Sequence, residues 1–134
     1  MITSAKTPVP ELLQGTLDVM ILRTIAREAC HGYAIARAIE LASGGELGIE
    51  EGSLYPALHR LLKRGDLTAK WSVTQTGRRA RVYRLNAAGK KRLDEELKLW
   101  QRLSGAVSRV LDAWPDAATS PSAGAPAAAG GGGA

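Results

Sequence analysis

The sequence is poor in the residues that build covalent and metal-bound sites. Its 134 residues include a single cysteine, Cys30, two histidines and no phenylalanine. One cysteine excludes an internal disulfide framework and a multi-cysteine zinc site. No run approaches the roughly 18 consecutive apolar residues of a membrane-spanning helix, and residues 1–10 lack the apolar core of a secretory signal. We therefore expect a cytoplasmic protein that needs no metal or cofactor and has no membrane partner.

Recognisable catalytic patterns are missing as well. The sequence offers no paired carboxylates in an apolar setting, no cysteine–histidine dyad at a plausible spacing and no glycine-rich phosphate loop before a helix. The four glycines at 130–133 follow no strand and open no helix. These absences argue against an enzyme.

Positive charge is confined to one block of the chain. Residues 60–92 contain eleven Lys or Arg residues against one acidic residue, Asp66, a net charge of +10. The segment before this block has four basic and seven acidic residues (net −3), and the segment after it has three basic and five acidic residues (net −2). A positive field localised in this way favours a polyanionic partner, because neutralised phosphates release their condensed counterions.

Composition also indicates where the ordered part of the chain lies. Residues 115–134 hold eight alanines, five glycines and three prolines, which predicts a disordered tail because so little apolar area is available for burial. Pro8 and Pro10 oppose a helix, so residues 1–10 are predicted to be a flexible lead-in. The ordered chain is then predicted to be one compact domain at 11–86 and a long last helix at 87–114.

Apolar residues spaced three and four apart predict three helices in the first half of the chain. They span residues 11–28, 33 to about 44, and 53–64. The first helix is apolar on two faces, since Val19 and Leu22 fall outside its main stripe, and it therefore needs a second neighbour, which another subunit could supply. In the third helix, Ser53 is expected to be the N-cap and Pro56 the third helical residue. The polar face of this helix presents Ser53, Tyr55, His59, Arg60 and Lys63.

The apolar period changes from 3.6 to 2 at Leu67. This predicts a strand over 67–74 and, after a turn at 75–78, a returning strand over 79–85. Trp71 is expected to fill the core between this hairpin and the helices. The tip of the hairpin is rich in arginine, with Arg78, Arg79 and Arg81. Arg81 and Arg84 lie on opposite faces of the strand, so that both cannot face the same partner.

The last helix, capped by Asn86, carries apolar residues at alternating spacings of four and three, the pattern of a helical seam. At about 1.5 Å per residue it is about 40 Å long, more than the rest of the ordered chain can cover. We therefore expect a homodimer that forms through this helix. The predicted dimer-interface residues are Leu93, Leu97, Trp100, Ser104, Val107 and Leu111, and the seam continues to Trp114. A second apolar row beside them contains Leu99, Leu103, Ala106 and Val110.

Three helices followed by a basic hairpin is the order of a winged helix-turn-helix. The predicted fold class is mainly α, with a small β-hairpin wing and a long C-terminal dimerisation helix. A helix fits the major groove of double-stranded DNA, and arginine in a wing suits the DNA backbone or the minor groove. The order and the charge partition together predict a DNA-binding protein. The alternative is a winged-helix module that binds a protein and no nucleic acid, which the +10 block disfavours.

Four segments resemble the PadR family of bacterial transcriptional regulators. They are LLQGTL at 12–17, HGYAI at 31–35, GSLYPAL at 52–58 and GRRARVYRL at 77–85. The resemblance is strongest to the short-tailed branch, and it implies a homodimer on a palindromic promoter site, usually a repressor, whose third helix and wing contact DNA. The DNA-binding residues implied in this way are Ser53, Tyr55, Pro56, Arg60, Lys63, Gly77, Arg78 and Arg79. His59 joins them because it lies on the same helix face.

The resemblance also implies a site for a small aromatic effector. In multidrug-responsive members of the family, a tryptophan of the last helix stacks flat aromatic compounds at the dimer centre, and Trp100 is at the similar position here. The implied effector pocket consists of Val19, Leu22, Leu93, Leu97 and Trp100. On the helical pattern alone Trp100 is a residue of the dimer seam, so both hypotheses stay open.

Overall fold

The computed structural model describes residues 7–8 and 14–114. In chain order the elements are β1 (Thr7–Pro8), α1 (Gln14–Arg27), β2 (Cys30–His31), α2 (Gly32–Ala42), β3 (Leu47–Gly48), α3 (Glu51–Lys63), β4 (Leu67–Val73), β5 (Arg79–Leu85) and α4 (Ala87–Ala113). The first three residues predicted for α1, the predicted tail and, apart from β1, the predicted lead-in lie outside the described residues.

The main sheet contains three antiparallel strands in the order β2–β5–β4. The strands β4 and β5 form the predicted hairpin, with Leu67 opposite Leu85 at its base and Val73 opposite Arg79 near its tip. The two residues of β2 pair with β5 on its other edge. A strand of two residues is too short to show a period, and the sequence did not predict it. A separate parallel pairing joins β1 to β3.

The hydrophobic core lies between the first three helices and the base of the hairpin. It covers both apolar faces of α1, because α2, α3 and β5 all contact this helix. Val19 and Leu22, for which a second subunit was considered, are therefore buried within the same chain. The buried apolar side chains are Leu17, Val19, Ile21, Leu22, Ile25, Ile35, Ile39, Leu54, Ala57, Leu58, Leu61, Leu67, Tyr83, Leu85 and Leu93.

The helix α3 begins two residues earlier than predicted, so the assignment of Ser53 as its N-cap is wrong. The cap is Glu50, whose extended backbone lets its carbonyl accept from the N–H groups of Ser53 and Leu54, both at 2.9 Å. Pro56 is then the sixth helical residue rather than the third. Its missing N–H leaves the carbonyl of Gly52 without the usual partner, and because Gly52 is exposed, water can take that place.

The start of α4 is fixed to the corner between α3 and β4. Asn86 is the predicted cap, since its Oδ1 accepts from the Gly89 N–H at 2.8 Å. The side-chain amide of Asn86 also donates to the Gly65 carbonyl at 2.7 Å. Gly89 lies so close to this corner that a Cβ would overlap the carbonyl oxygen of Asp66 and approach Leu85 Cδ1 to 2.6 Å. The corner and the helix are therefore packed backbone against backbone.

The chain divides into two compact units, residues 1–98 and 99–134. The core, the sheets and the first part of α4 belong to the first unit. Among the described residues, the second unit contains the C-terminal part of α4 and Trp114.

The backbone contact at Gly89 predicts a sharp penalty for a side chain at this position. We expect Gly89→Ala to lower the free energy of unfolding by about 3 kcal/mol, because the new methyl group has to displace backbone rather than a flexible side chain. Denaturant unfolding measured by circular dichroism gives this value. The control is Gly52→Ala in α3, where a Cβ meets nothing within 4 Å and where we expect a change below about 1 kcal/mol. Equal effects of the two variants would contradict the assignment.

Candidate nucleic-acid interface

The tip of the hairpin is a hydrogen-bonded loop over residues 74–78. The Thr74 N–H donates to the Arg78 carbonyl at 2.7 Å, and the Gly77 N–H donates to the Thr74 carbonyl at 2.9 Å. Gly77 has a φ of +84°, a left-handed conformation that glycine adopts without strain. The role of Gly77 in this structure is to shape the turn, which leaves Arg78 exposed at the tip.

Arginine and aromatic side chains alternate on one face of the hairpin. Trp71 pairs with Arg81 across the strands, and directly opposed residues point to the same face. The guanidinium carbon of Arg79 lies 4.7 Å from the centre of the Trp71 ring, and that of Arg81 lies 5.9 Å from the Trp71 ring and 5.8 Å from the Tyr83 ring. We refer to Arg79, Trp71, Arg81 and Tyr83 as the arginine–aromatic ladder.

The position of Trp71 corrects a prediction. Trp71 is 59% exposed, whereas Tyr83 on the same face is 4% exposed, so Trp71 does not fill the core. The core ends at the pair of Ala69 and Tyr83, and Trp71 lies two pairs closer to the tip of the hairpin, at the next position on the same face. Period-2 alternation identifies the face of a strand but does not say how far along the strand the helices reach.

The ladder lines an open groove of about 410 Å³ between the wing and the helices. The helices contribute the residues at the start of α2 and Tyr55 of α3, and Tyr33 and Tyr55 are both exposed. The groove therefore brings together two residues predicted to bind DNA, Tyr55 and Arg79, with seven others that were not among the predicted contacts. Its full lining is His31, Gly32, Tyr33, Tyr55, Trp71, Arg79, Ala80, Arg81 and Tyr83.

The ring of Tyr55 lies directly against the backbone of Gly32. A Cβ on Gly32 would stand 2.8 Å from the Tyr55 hydroxyl oxygen and 2.9 Å from Cε1, so only glycine leaves room for this ring. Burial raises the pKa of the neighbouring Tyr83 hydroxyl; the charge of Arg81 lowers it and Tyr55 raises it further. The net direction is upward, and Tyr83 is therefore neutral at physiological pH.

Most of the α3 residues predicted to bind DNA lie on an exposed face. Tyr55, Pro56, His59 and Lys63 are exposed, and Ser53 is half-buried in the first turn. Arg60 differs from them, because its Nη2 donates to Asp18 Oδ1 of α1 at 2.8 Å. The charge of Arg60 is thus compensated within the protein, which makes this residue a helix-to-helix tie in the structure.

Two buried carboxylates pair with three arginines of the basic block. Asp66 is 2% exposed; its Oδ2 accepts from Arg64 Nη2 at 2.9 Å and lies 3.3 Å from Arg92 Nε. Asp18 is also buried. Its Oδ1 accepts the hydrogen bond from Arg60, and its Oδ2 lies 3.8 Å from Arg64 Nη1. These contacts link α1, α3, the start of β4 and α4. Neither aspartate was predicted to have a role, although Asp66 is the one acidic residue in the basic block.

The residues predicted for the effector pocket and the dimer seam fall into two groups. Val19, Leu22 and Leu93 are buried in the core of the first unit, and Leu97 is half-buried against it. In this packing Val19, Leu22 and Leu93 offer no open surface to a ligand. Leu93, which was also predicted for the dimer seam, offers none to a second chain. The second group lies in the second unit: Trp100, Val107, Leu111 and Trp114 are exposed, as are Leu99, Leu103 and Val110 of the parallel row, while Ser104 is half-buried.

Other kinds of site find little support in the described part of the chain. Its helices include none that is long and apolar enough to cross a membrane, and its side chains include no group of three or more metal-ligating residues that could hold a metal ion. Burial, with a smaller contribution from Glu28, raises the pKa of the Cys30 thiol. This thiol is therefore protonated at neutral pH and a weak nucleophile.

A helical domain with a basic β-hairpin and a long last helix defines a winged-helix protein. The model of the transcriptional regulator PadR-like family matches residues 21–95, more than half of the chain. The chain belongs to this family of transcriptional regulators, and the resemblance found in the four sequence segments is confirmed.

Individual relatives agree with this assignment. The transcriptional regulator Rv3488 of Mycobacterium tuberculosis is 33% identical over 94 residues, which are 70% of this chain and 84% of that protein. A transcriptional regulator from Clostridium thermocellum has the same fold, with a TM-score of 0.68 at 24% identity over 75% of this chain and 97% of that one. A PadR-like transcriptional regulator from Bacillus cereus gives a TM-score of 0.64 at 25% identity, covering 76% and 97% of the two chains. The predicted fold class is confirmed.

The buried position of Asp66 predicts that its ion pairs stabilise the fold. We expect Asp66→Asn to lower the free energy of unfolding by about 2–3 kcal/mol, because it leaves Arg64 and Arg92 without a buried counter-charge. The control is Asp94→Asn, which removes an ion pair with Lys98 of 3.2 Å between two exposed side chains. For the control we expect a loss of about 0.5 kcal/mol or less. Chemical denaturation at one ionic strength compares the two variants, and an equally small loss for Asp66→Asn would show that the buried pair adds nothing.

Proposed function

We propose that the chain is a homodimeric repressor that binds a palindromic promoter site in double-stranded DNA. The observation that carries this proposal is the groove in which exposed side chains of α2 and α3 stand beside the arginines of the wing. A helix face can enter the major groove while the wing follows the adjacent backbone.

The distribution of charge supports DNA as the partner. Arg78, Arg79 and Lys63 are exposed, and no ion pair with an acidic residue involves them in the described part of the chain. Arg60, Arg64 and Arg92 of the basic block pair with aspartates instead. Within the described residues, the wing and the exposed face of α3 thus carry positive charge without an acidic partner, which a phosphate backbone could supply. The proposed contacts are Ser53, Tyr55, Pro56, His59, Lys63, Arg78 and Arg79, with Gly77 shaping the turn.

The second unit supports a dimer. Its helix exposes an apolar face over four turns, from Leu99 to Trp114, and monomeric proteins rarely leave a contiguous apolar face of this kind in water. Two copies joined by a twofold axis present two equivalent DNA-binding surfaces, which fit inverted half-sites about one helical turn, ~34–36 Å, or a multiple apart. A dimer that covers such a site excludes other proteins from that DNA, which favours repression.

Release by a small planar effector stays a prediction. Of the residues assigned to the pocket, Trp100 is 45% exposed and could stack on a flat ligand. Val19, Leu22 and Leu93 would become accessible only if the core opened.

DNA binding is tested with the purified chain and the DNA upstream of its own coding sequence. We expect fluorescence anisotropy to show binding whose log K falls with log salt by ~0.9 for each phosphate contacted. Arg78→Ala should weaken binding to cognate and random duplexes alike and reduce this slope by about one phosphate. His59→Ala should weaken binding to the cognate duplex alone, because a contact in the major groove depends on sequence.

The control for loss of charge is Arg109→Ala, which removes an exposed arginine of α4 that is not among the proposed contacts and should leave binding unchanged. Absence of binding by the intact dimer at low salt would overturn the proposal and favour the alternative of a protein-interaction module.

The dimer is tested by placing a charge on the apolar face of the second unit. We expect Val107→Asp to shift the chain from dimer to monomer in sedimentation equilibrium, because the carboxylate would have to be buried without a partner. The matched control, Gln101→Asp, adds the same charge outside both apolar rows and should leave the dimer intact. A wild-type chain that sediments as a monomer would disprove the proposed assembly.

A further inference from the structure

The arginines of this protein are divided between two kinds of partner. Arg60, Arg64 and Arg92 pair with buried aspartates. Arg79 and Arg81 lie over aromatic rings instead, and in the described residues neither of them pairs with an acidic side chain. The wing arginines therefore keep their full charge while their side chains are held in place.

Trp71 is the centre of this arrangement. Two guanidinium groups lie near its ring. The guanidinium carbon of Arg81, the directly opposed residue, is 5.9 Å from the ring centre, and that of Arg79, the diagonal neighbour, is 4.7 Å from it. A tryptophan that is 59% exposed adds little to the core, so its burial does not explain its place on the wing. Its contacts with the two arginines explain this place.

Stacking has a specific consequence for an arginine. When a guanidinium group lies flat on a ring, the contact occupies its flat face, whereas its five N–H donors lie in the plane and point outward at the edge. An arginine held in this way keeps the donors that bind a phosphate, and it loses less side-chain freedom when it does so. An arginine at the same place without a neighbouring ring has the same charge, but it loses more side-chain freedom when it binds a phosphate.

We propose that Trp71 is a positioning residue for DNA binding, which holds Arg79 and Arg81 with their donor edges toward the backbone phosphates of a duplex at the groove. The inference rests on the proposed function, since it concerns the same DNA-binding surface. It assigns Trp71 an effect through the arginines rather than a contact with bases.

The experiment measures the salt dependence of DNA binding for variants that do not change the net charge. We expect Trp71→Leu to weaken binding to cognate and random duplexes by about tenfold and to reduce the slope of log K against log salt by ~0.9, the value for one lost phosphate. Trp71→Phe, which restores a ring, should recover most of the affinity and of the slope. The matched control Ser72→Ala changes the exposed neighbour on the opposite strand face, which pairs with Ala80 rather than with an arginine, and should behave like the wild type.

Two further variants separate positioning from direct contact. In the Trp71→Leu background, Arg79→Ala should cost little more, because the contribution of Arg79 is already lost. Arg79→Lys keeps the charge but removes the planar group that stacks, and it should weaken binding as Trp71→Leu does. This variant tests the inference independently of any change at Trp71.

The possible failures are distinguishable. A wild-type dimer that binds no DNA overturns the proposed function. A wild type that binds DNA, combined with a Trp71→Leu variant whose slope is unchanged, overturns the positioning role alone, whether the affinity falls or not. Additive effects of Trp71→Leu and Arg79→Ala on the free energy of binding would also overturn the positioning role alone, provided that circular dichroism shows each variant to be folded.

Discussion

The carboxylate of Asp66 is buried between Arg64, which follows α3, and Arg92 of α4, while the backbone carbonyl of the same residue lies against Gly89 and accepts from the Asn86 N–H at 3.3 Å. One residue therefore fixes the end of α3, the beginning of the wing and the beginning of the last helix. Removing a buried charge partner is costly because the other charges stay behind. The geometry of the proposed DNA-binding surface depends on this corner.

The same basic block serves two purposes that the net charge alone does not separate. Arg60, Arg64 and Arg92 pair with aspartates and hold elements together, whereas Arg79 and Arg81 of the wing lie over aromatic rings and have no acidic partner in the described residues. A count of +10 over residues 60–92 therefore overstates the charge available to a polyanion. Which arginine belongs to which group is decided by the neighbours it meets in the folded chain, such as Asp18 for Arg60.

Much of the fold could be predicted from the sequence, because the three helices, the hairpin and the Asn86 cap each leave a local pattern. The site was predicted less completely. Tyr55, His59 and Arg78 follow from helix and turn patterns, but the exposure of Trp71 depends on how far the helices extend along β4. The pairing of Arg60 with Asp18 joins residues that are 42 positions apart, and no local spacing indicates it. The start of α3 was misplaced because the N-cap is Glu50, which is not a favoured capping residue and makes no side-chain capping hydrogen bond, whereas the favoured serine lies inside the helix.

The passage from the sheet to the last helix takes one residue. The strand β5 ends at Leu85 and α4 begins at Ala87, and Asn86 between them is committed to hydrogen bonds on both sides. There is no room in this connection for an insertion or a deletion, because either would rotate the helix and move Gly89 away from the corner. Length changes during the divergence of such proteins should therefore accumulate at the 74–78 loop and spare the strand–helix junction.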